Sequence, residues 1–172
     1  MISIGDITAS FELATRVPEV GALLLSLAKR LRGRPKDQAP GDKPTRIAAY
    51  RRFQDAAITA SLNLQALARV GLPPKLGGAV WTWPSAMRAS NRSIESLNET
   101  SCALYEIALV GDDTVLDAAT TTAEALGQMA SSFPARRGGG ALPDDFAELA
   151  ERASSRLFDF VAAGRGDLQR KE

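Results

Sequence analysis

Apolar residues recur every three or four positions in five segments of the chain, most of them separated by stretches rich in proline and glycine. This spacing places the apolar side chains on one face of a helix. Long β-branched runs are missing, and Ala and Leu dominate the apolar set, which favours helix over strand. We therefore expect an all-α protein. The predicted core faces are Ile47, Tyr50, Phe53, Ala57 and Leu64; Met87, Ser90, Ile94, Leu97, Ser101, Leu104 and Ala108; Val115, Ala119, Thr122, Leu126, Met129 and Phe133; and Phe146, Leu149, Ala153, Leu157 and Phe160.

The last four segments predict an antiparallel up-down four-helix bundle over residues 45–164. Thr45 is suited to cap the first of these helices. Gly111 leaves only a short turn between the second and third helices, and such a turn makes two helices antiparallel neighbours. Two glycines end the last pattern, so residues 165–172 are expected to form a flexible tail.

The segment before the bundle predicts an N-terminal amphipathic helical arm, residues 1–32, with Leu24 and Leu31 on its apolar face. Pro18 interrupts this pattern. Because the residue before a proline avoids the α region, we expect a kink or break there, with the second half of the arm starting at Pro18. Residues 33–44 contain three prolines and two glycines and predict a semi-rigid linker.

The composition excludes several kinds of catalytic site. The chain has no histidine, which removes the commonest general base, the usual zinc ligand and the Ser-His-Asp and Cys-His arrangements. The single cysteine, Cys102, excludes an internal disulfide and a Cys-rich metal cluster. Its position in the middle of a helix predicts a small buried hydrophobic residue. We therefore expect a protein that is not an enzyme and holds no cofactor.

The net charge of +1 conceals a basic collar over residues 29–52, which hold nine basic and two acidic residues, a net charge of +7. The most apolar window, residues 20–28, is far shorter than the roughly 20 residues that a membrane crossing needs. The first residues lack the charge and cleavage pattern of a signal peptide. We expect a cytoplasmic protein, with the inner membrane surface as a second location. The collar begins with a basic run formed by Lys29, Arg30, Arg32, Arg34 and Lys36.

Asp112, Asp113 and Asp117 form the best candidate acidic cluster. Asp113 and Asp117 are four residues apart and share a helix face, so their carboxylates could hold a hard cation such as Mg²⁺. Acidic residues in the first turn are equally typical of helix capping, which the helix dipole favours. Capping is the preferred interpretation, because two or three carboxylates are ordinary at that place.

Two features predict contacts with other molecules. Trp81 and Trp83 lie in the connector between two helices, where two indoles either cover one end of the bundle or form a partner patch. The arm and its basic run could pack on the bundle, on a second copy, in a partner's groove or on an anionic membrane surface. Nucleic acid is unlikely because the bundle is mildly acidic and no recognition motif is present. The candidate residues are Phe11, Leu24, Leu31, Trp81 and Trp83 for a partner, and Lys29, Arg30, Arg32, Arg34 and Lys36 for a membrane or an anion.

Residues 46–53, Arg-Ile-Ala-Ala-Tyr-Arg-Arg-Phe, resemble the opening of a group of uncharacterised actinobacterial helical proteins. In that group an Arg-x-x-Ala-Tyr-x-x-Phe start commonly follows an N-terminal membrane helix and a charged stretch. Residues 105–115, 157–163 and 167–168 are similar as well. The matching positions are mostly helix-packing residues, so the resemblance implies the helical fold and no activity. Residues 7–31 depart from the group because they are too short and too interrupted to cross a membrane.

These observations predict a non-enzymatic helical interaction module that binds a protein partner or itself through the arm and the Trp81/Trp83 loop. One alternative is a peripheral inner-leaflet membrane protein anchored by residues 7–36. Another is a small-molecule or metal-binding bundle that uses the acidic cluster at Asp112, Asp113 and Asp117.

Overall fold

A computed structural model describes residues 16–32, 40–70, 83–133 and 144–170, without the side chains of residues 83 and 84. These ranges contain helices and no strand, which confirms the predicted all-α class for this part of the chain. The helices are α1 (Arg16–Arg32), α2 (Lys43–Val70), α3 (Trp83–Val110), α4 (Asp113–Ser131) and α5 (Phe146–Gln169).

Helix α4 lies at the centre of the described core and contacts each of the other four helices. Eleven of its nineteen residues are buried, more than one apolar face would provide. This is possible because most of these side chains are Ala, Thr or Gly, which let neighbouring helices approach from several sides. The predicted core face of α4 is confirmed, and it consists of Val115, Ala119, Thr122, Leu126 and Met129, with Phe133 just beyond the helix.

Helix α1 packs on α4 at a point where two glycines meet. A Cβ atom on Gly21 would lie 2.6 Å from the Cβ atom of Ala130 and 3.0 Å from the carbonyl oxygen of Gly127. A Cβ atom on Gly127 would lie 2.6 Å from Cγ of Leu25. Side chains of ordinary size cannot occupy this crossing, so the glycines set the distance between the helices. The described part of the arm therefore belongs to the same hydrophobic core as the other helices.

Helices α2 and α3 share the most extensive contact in the described fold. Asn63, in the second half of α2, donates from Nδ2 to the carbonyl oxygen of Arg92 in the first half of α3, at 3.1 Å. At the other end, Gly41 precedes α2 and donates its N–H to the carbonyl oxygen of Val110, the last residue of α3, at 2.9 Å.

The buried side of α3 is more polar than the sequence predicts. Ser90, Leu97 and Leu104 are buried as expected, but the remaining predicted positions are only half-buried. Three further residues of α3 are buried: Ser93, Ser96 and Thr100. The hydroxyl group of each donates a hydrogen bond to the carbonyl oxygen four residues earlier, at 2.8 Å, and needs no partner on another helix. Small side chains that are satisfied within their own helix can therefore face the core beside the apolar ones.

Helix α5 continues to Gln169, so the predicted flexible tail beginning at residue 165 is wrong for residues 165–169. The glycines at which the sequence predicted an end remain helical. Gly164 is buried, and a Cβ atom there would lie 3.4 Å from the ring of Tyr50. Asp167 lies one turn further along and is buried as well. The reason for the longer helix is a polar cluster around this aspartate.

Candidate functional site

Three buried side chains form a polar cluster between the start of α2 and the end of α5. Nη1 of Arg46 donates to both carboxylate oxygens of Asp167, at 2.9 and 3.1 Å. The hydroxyl group of Tyr50 donates to Oδ2 of the same carboxylate at 2.8 Å. A buried carboxylate requires such compensation, because removing it from water without partners costs several kcal/mol. We call Arg46, Tyr50 and Asp167 the end cluster.

The end cluster also reaches the turn between α3 and α4. The backbone N–H of Asp112 donates to the hydroxyl oxygen of Tyr50 at 3.3 Å. Nη1 of Arg170 lies 3.7 Å from Oδ2 of Asp112. Burial, and then the hydrogen bond to Asp167, raise the pKa of the Tyr50 phenol, which therefore stays protonated at neutral pH. The cluster joins the start of α2, the end of α5 and the N-cap of α4, and these bonds within the chain serve the fold.

The candidate acidic cluster is divided among structural roles. Asp112 is the N-cap of α4 and accepts from the backbone N–H of Thr114 at 2.9 Å, which confirms the capping interpretation. Asp113 is exposed in the first turn. Asp117 lies 3.7 Å from Nε of Arg32. Within residues 16–32, 40–70, 83–133 and 144–170, no group of three or more carboxylate or thiol side chains is arranged to hold a metal ion.

The basic run is only partly available to a ligand. Arg32 was predicted to contact a membrane or an anion, but it ties α1 to α4: Nη2 lies 3.0 Å from Glu124 Oε2 and 3.1 Å from the hydroxyl oxygen of Thr121. Opposite charges on the neighbouring helix neutralise it. Lys29 and Arg30 are exposed. Arg34 and Lys36 lie outside the described residues.

The residues predicted to bind a partner have different positions in the structure. Leu24 and Leu31 are buried in the core of the same chain, so their assignment to a partner surface is corrected. The apolar face of α1 that carries them is covered by this chain's own helices, chiefly α4. Phe11 and Trp81 lie outside the described residues. Trp83 begins α3, and its side chain is not described.

The outer face of α1 is the part of the arm that remains exposed. Leu23 is 68% exposed, although it adjoins the buried Leu24. A shallow groove of about 500 Å³ lies along α1 next to this position and does not include Leu23 in its lining. The sequence did not single out Leu23, because three successive leucines share the same residue type and only the helical angle separates the exposed one. The groove is lined by Ala22, Leu25, Ser26, Lys29 and Arg30.

A second groove, of about 660 Å³, lies between α2 and α3 and is rich in charged side chains. Nε of Arg52 donates to Oε1 of Glu99 at 2.7 Å, and its Nη1 contacts Glu106. The hydrogen bond from Arg52 lowers the pKa of the Glu99 carboxyl group and raises that of the guanidinium group. Cys102, which the sequence predicted to be buried, is exposed on α3. The apolar stripe of α3 lies on its other side, so the thiol faces solvent.

Comparisons of the chain with protein-family models, with curated proteins and with solved structures found no match. The resemblance of residues 46–168 to actinobacterial helical proteins therefore stays a prediction. Among the described helices, none is long and apolar enough to cross a membrane.

Proposed function

We propose that this protein is a non-enzymatic helical interaction module that binds a protein partner through the outer face of α1. The observation that supports it is an exposed leucine, Leu23, beside a shallow groove with two cationic side chains, Lys29 and Arg30. An apolar centre surrounded by polar and charged side chains is the usual arrangement of an interface core and its rim. The sequence-based prediction that the Trp81/Trp83 loop also contacts the partner is retained; Trp81 and the side chain of Trp83 lie outside the described part of the chain.

The charges of this face indicate the chemistry of the partner. Arg32 is neutralised by α4, but Lys29 and Arg30 have no ion-pair partner among the described residues. Opposite charges at the rim of an interface steer association and select the partner. We expect a partner surface with acidic side chains around an apolar pocket that accepts Leu23.

An anionic membrane surface is the second candidate. It is favoured by the same cations at the carboxyl end of α1. It is less well supported than a protein partner. A helix that lies in a membrane surface inserts a whole apolar face, and the apolar face of α1 is buried in the core, which leaves Leu23 as the large apolar side chain outside it.

We also propose that α2 to α5 form the antiparallel up-down bundle that the sequence predicts, with α1 alongside α4. Two contacts at different levels of the α4–α5 pair support it. The hydroxyl group of Thr122, near the middle of α4, bonds the carbonyl oxygen of Arg156 near the middle of α5, at 2.9 Å. The rings of Phe133, after α4, and Phe146, at the start of α5, lie 5.4 Å apart.

Spin-label distances test this arrangement. Labels at exposed Ala48, near the start of α2, and Leu109, near the end of α3, should lie closer together than labels at Ala48 and Ser85. The opposite order would mean that α2 and α3 run in the same direction.

Photo-crosslinking in native cells tests the interaction. A photoreactive residue in place of Leu23 should capture a protein with an acidic surface, and one in place of Phe158, which is exposed on α5, serves as the control. The captured protein is then purified and its affinity measured. The double variant Lys29→Glu and Arg30→Glu should bind it at least about ten-fold more weakly. The matched double variant Arg152→Glu and Arg165→Glu, on exposed positions of α5, should bind as the wild type does.

Flotation with anionic vesicles separates a protein partner from a membrane surface. It is measured for the two crosslinking variants and for the two double variants. Equal capture at both crosslinking positions, or equal affinity of both double variants, would contradict the proposal. Charge-dependent flotation without a captured protein would favour the membrane surface instead.

A further inference from the structure

The outward side of α2 carries an apolar stripe that the described residues of the chain leave uncovered. Ile58 is 37% exposed and Leu62 is 60% exposed. Ala66 is exposed one turn further along. Residues spaced by four lie above one another on a helix, so these three side chains form one continuous strip. The core-facing side of α2 lies opposite this strip, and the groove with α3 borders the strip on one side.

Two opposite charges flank this stripe at equal distances from its centre. Asp55 lies seven residues before Leu62, and Arg69 lies seven residues after it. Seven residues are close to two helical turns, so both charges lie on the same side of α2 as the leucine. Both are exposed, and neither forms an ion pair with another residue in the described part of the chain. We call these five residues the α2 outer stripe: Asp55, Ile58, Leu62, Ala66 and Arg69.

The order of residues in this stripe is symmetric about Leu62. Ile58 and Ala66 lie four residues to either side, inside the two charged residues. If two copies of α2 meet antiparallel with Leu62 at the two-fold axis, each position meets the one at the same distance on the other side of the centre. Asp55 then faces Arg69 of the second copy, and this ion pair forms twice. The leucines meet at the axis, and each Ile58 covers an Ala66 of the second copy.

We propose that two copies of this chain associate through the α2 outer stripe, antiparallel and about a two-fold axis at Leu62. Such an interface is isologous, which means that one patch must complement itself. The stripe meets this requirement in the opposite charges of Asp55 and Arg69. A parallel pairing would place Asp55 against Asp55 and Arg69 against Arg69, and like charges at these positions oppose association.

The groove between α2 and α3 extends the same surface on one side. Asp55 lines this groove together with the Arg52–Glu99 ion pair. A guanidinium group from the second copy would therefore approach Asp55 at the rim of a polar depression where its remaining donors can reach further acceptors. This surface lies on α2 and is independent of the α1 face proposed to bind a protein partner.

One helix face is small compared with the interfaces of stable dimers, which bury at least about 1,200 Å² in total. We therefore expect a weak association that depends on concentration. Sedimentation velocity of the full chain, from the lowest detectable concentration to the millimolar range, should show a reversible monomer–dimer equilibrium.

Substitutions on the stripe then test the geometry. Leu62→Asp should weaken the dimer at least about ten-fold, because it places two carboxylates at the axis. Asp55→Arg alone should weaken it to a similar degree by opposing two pairs of cations. Adding Arg69→Asp to Asp55→Arg exchanges the charges and should restore the association of the wild type. Leu109→Asp, at an exposed leucine on α3, is the matched control and should leave it unchanged.

A circular dichroism spectrum of each variant shows whether the helices are intact. The charge exchange keeps the proposal testable even if Leu62→Asp unfolds the chain. A wild type that stays monomeric at every concentration would overturn the proposal. So would a dimer that tolerates Leu62→Asp in a folded chain, or a double exchange that fails to recover the association lost by Asp55→Arg. None of these results depends on Lys29 or Arg30, so failure of the dimer proposal would not contradict the proposed α1 interaction, and the reverse also holds.

Discussion

Two groups of charged side chains, each with a member on α2, lie in opposite environments. In the end cluster, Arg46 and Asp167 are buried and bonded to each other. In the α2 outer stripe, Asp55 and Arg69 are exposed and have no ion-pair partner among the described residues. Each pair consists of an arginine and an aspartate. The two charges of the end cluster pair with each other within the chain, whereas we propose that those of the stripe pair with charges on another molecule.

Helix α1 shows the same division. Gly21 and Leu24 face inward and pack on α4, while Leu23 and the cations at its carboxyl end face outward. One side of each of these helices therefore packs within the fold, and the other side faces solvent. Substitutions on that side should change stability, and substitutions on the other side should change binding with little effect on stability.

The largest expected effect is the loss of the buried carboxylate. Asp167→Ala leaves the Arg46 guanidinium group buried without the charge that compensates it. Removing one partner of a buried ion pair costs about 3–5 kcal/mol of unfolding free energy, measured by urea denaturation. Asp159→Ala, on the exposed side of α5 and paired among the described residues with exposed Arg156, should change the unfolding free energy by less than about 0.5 kcal/mol. Equal losses in the two variants would remove the distinction between buried and exposed charge.

The next effect concerns the crossing of α1 and α4. Gly21→Val places side-chain atoms where Ala130 and the backbone of Gly127 already lie, and we expect a loss of about 1–3 kcal/mol of unfolding free energy. Gly166→Ala is the matched control, because no atom lies within 4 Å of its Cβ position. It should leave the stability unchanged or raise it by about 0.5–1 kcal/mol. A tolerated Gly21→Val would mean that α1 does not pack closely.

Tyr50→Phe gives a smaller loss with a pH signature. Removing the hydroxyl group that bonds Asp167 and Asp112 should cost about 1–1.5 kcal/mol at neutral pH. Since folding raises the pKa of this phenol above its ordinary value of 10.0, its contribution is fully present below about pH 10 and is lost as the pH rises further. The difference in unfolding free energy between wild type and Tyr50→Phe should therefore be level up to about pH 10 and narrow above it. A difference that stays constant at higher pH would contradict the buried position of the phenol.

The smallest effect is expected in the groove between α2 and α3. Glu99→Gln removes an exposed ion pair with Arg52, which water and salt screen. Because folding lowers the pKa of Glu99 below its ordinary value of 4.5, the advantage of the wild type should be present above that pH and disappear as the pH falls through the lowered value. It should also shrink in concentrated salt. An advantage that survives both conditions would indicate that this pair is buried.

Much of the fold could be predicted from helical spacing. The face of α4 through Val115, Leu126 and Met129 is the clearest case, because apolar residues at spacings of three and four have only one way to share a surface. The same spacing predicted an apolar side of α1 but could not say what covers it. A partner's groove and this chain's own α4 require the same pattern, and only the glycine pair at the crossing distinguishes them.

The end cluster could not be predicted in this way. Arg46 and Asp167 are 121 residues apart, and a lone aspartate between two glycines and a charged terminus is typical of a fraying helix end. The exposed Leu23 and Leu62 were missed for a related reason. Residue type does not reveal exposure when leucines are abundant, and the helical angle becomes decisive only after the neighbouring helices are placed.

Native-state hydrogen exchange of α1 tests most directly whether its inner side belongs to the fold. The backbone N–H groups of Leu24 and Ala28 should exchange with the same opening free energy as those of Ala123 and Leu126 in α4, because one core closes over both helices. All four should then follow global unfolding. If the amides of α1 exchange orders of magnitude faster while those of α4 stay protected, α1 is a detachable arm and its inner leucines are free to bind a partner.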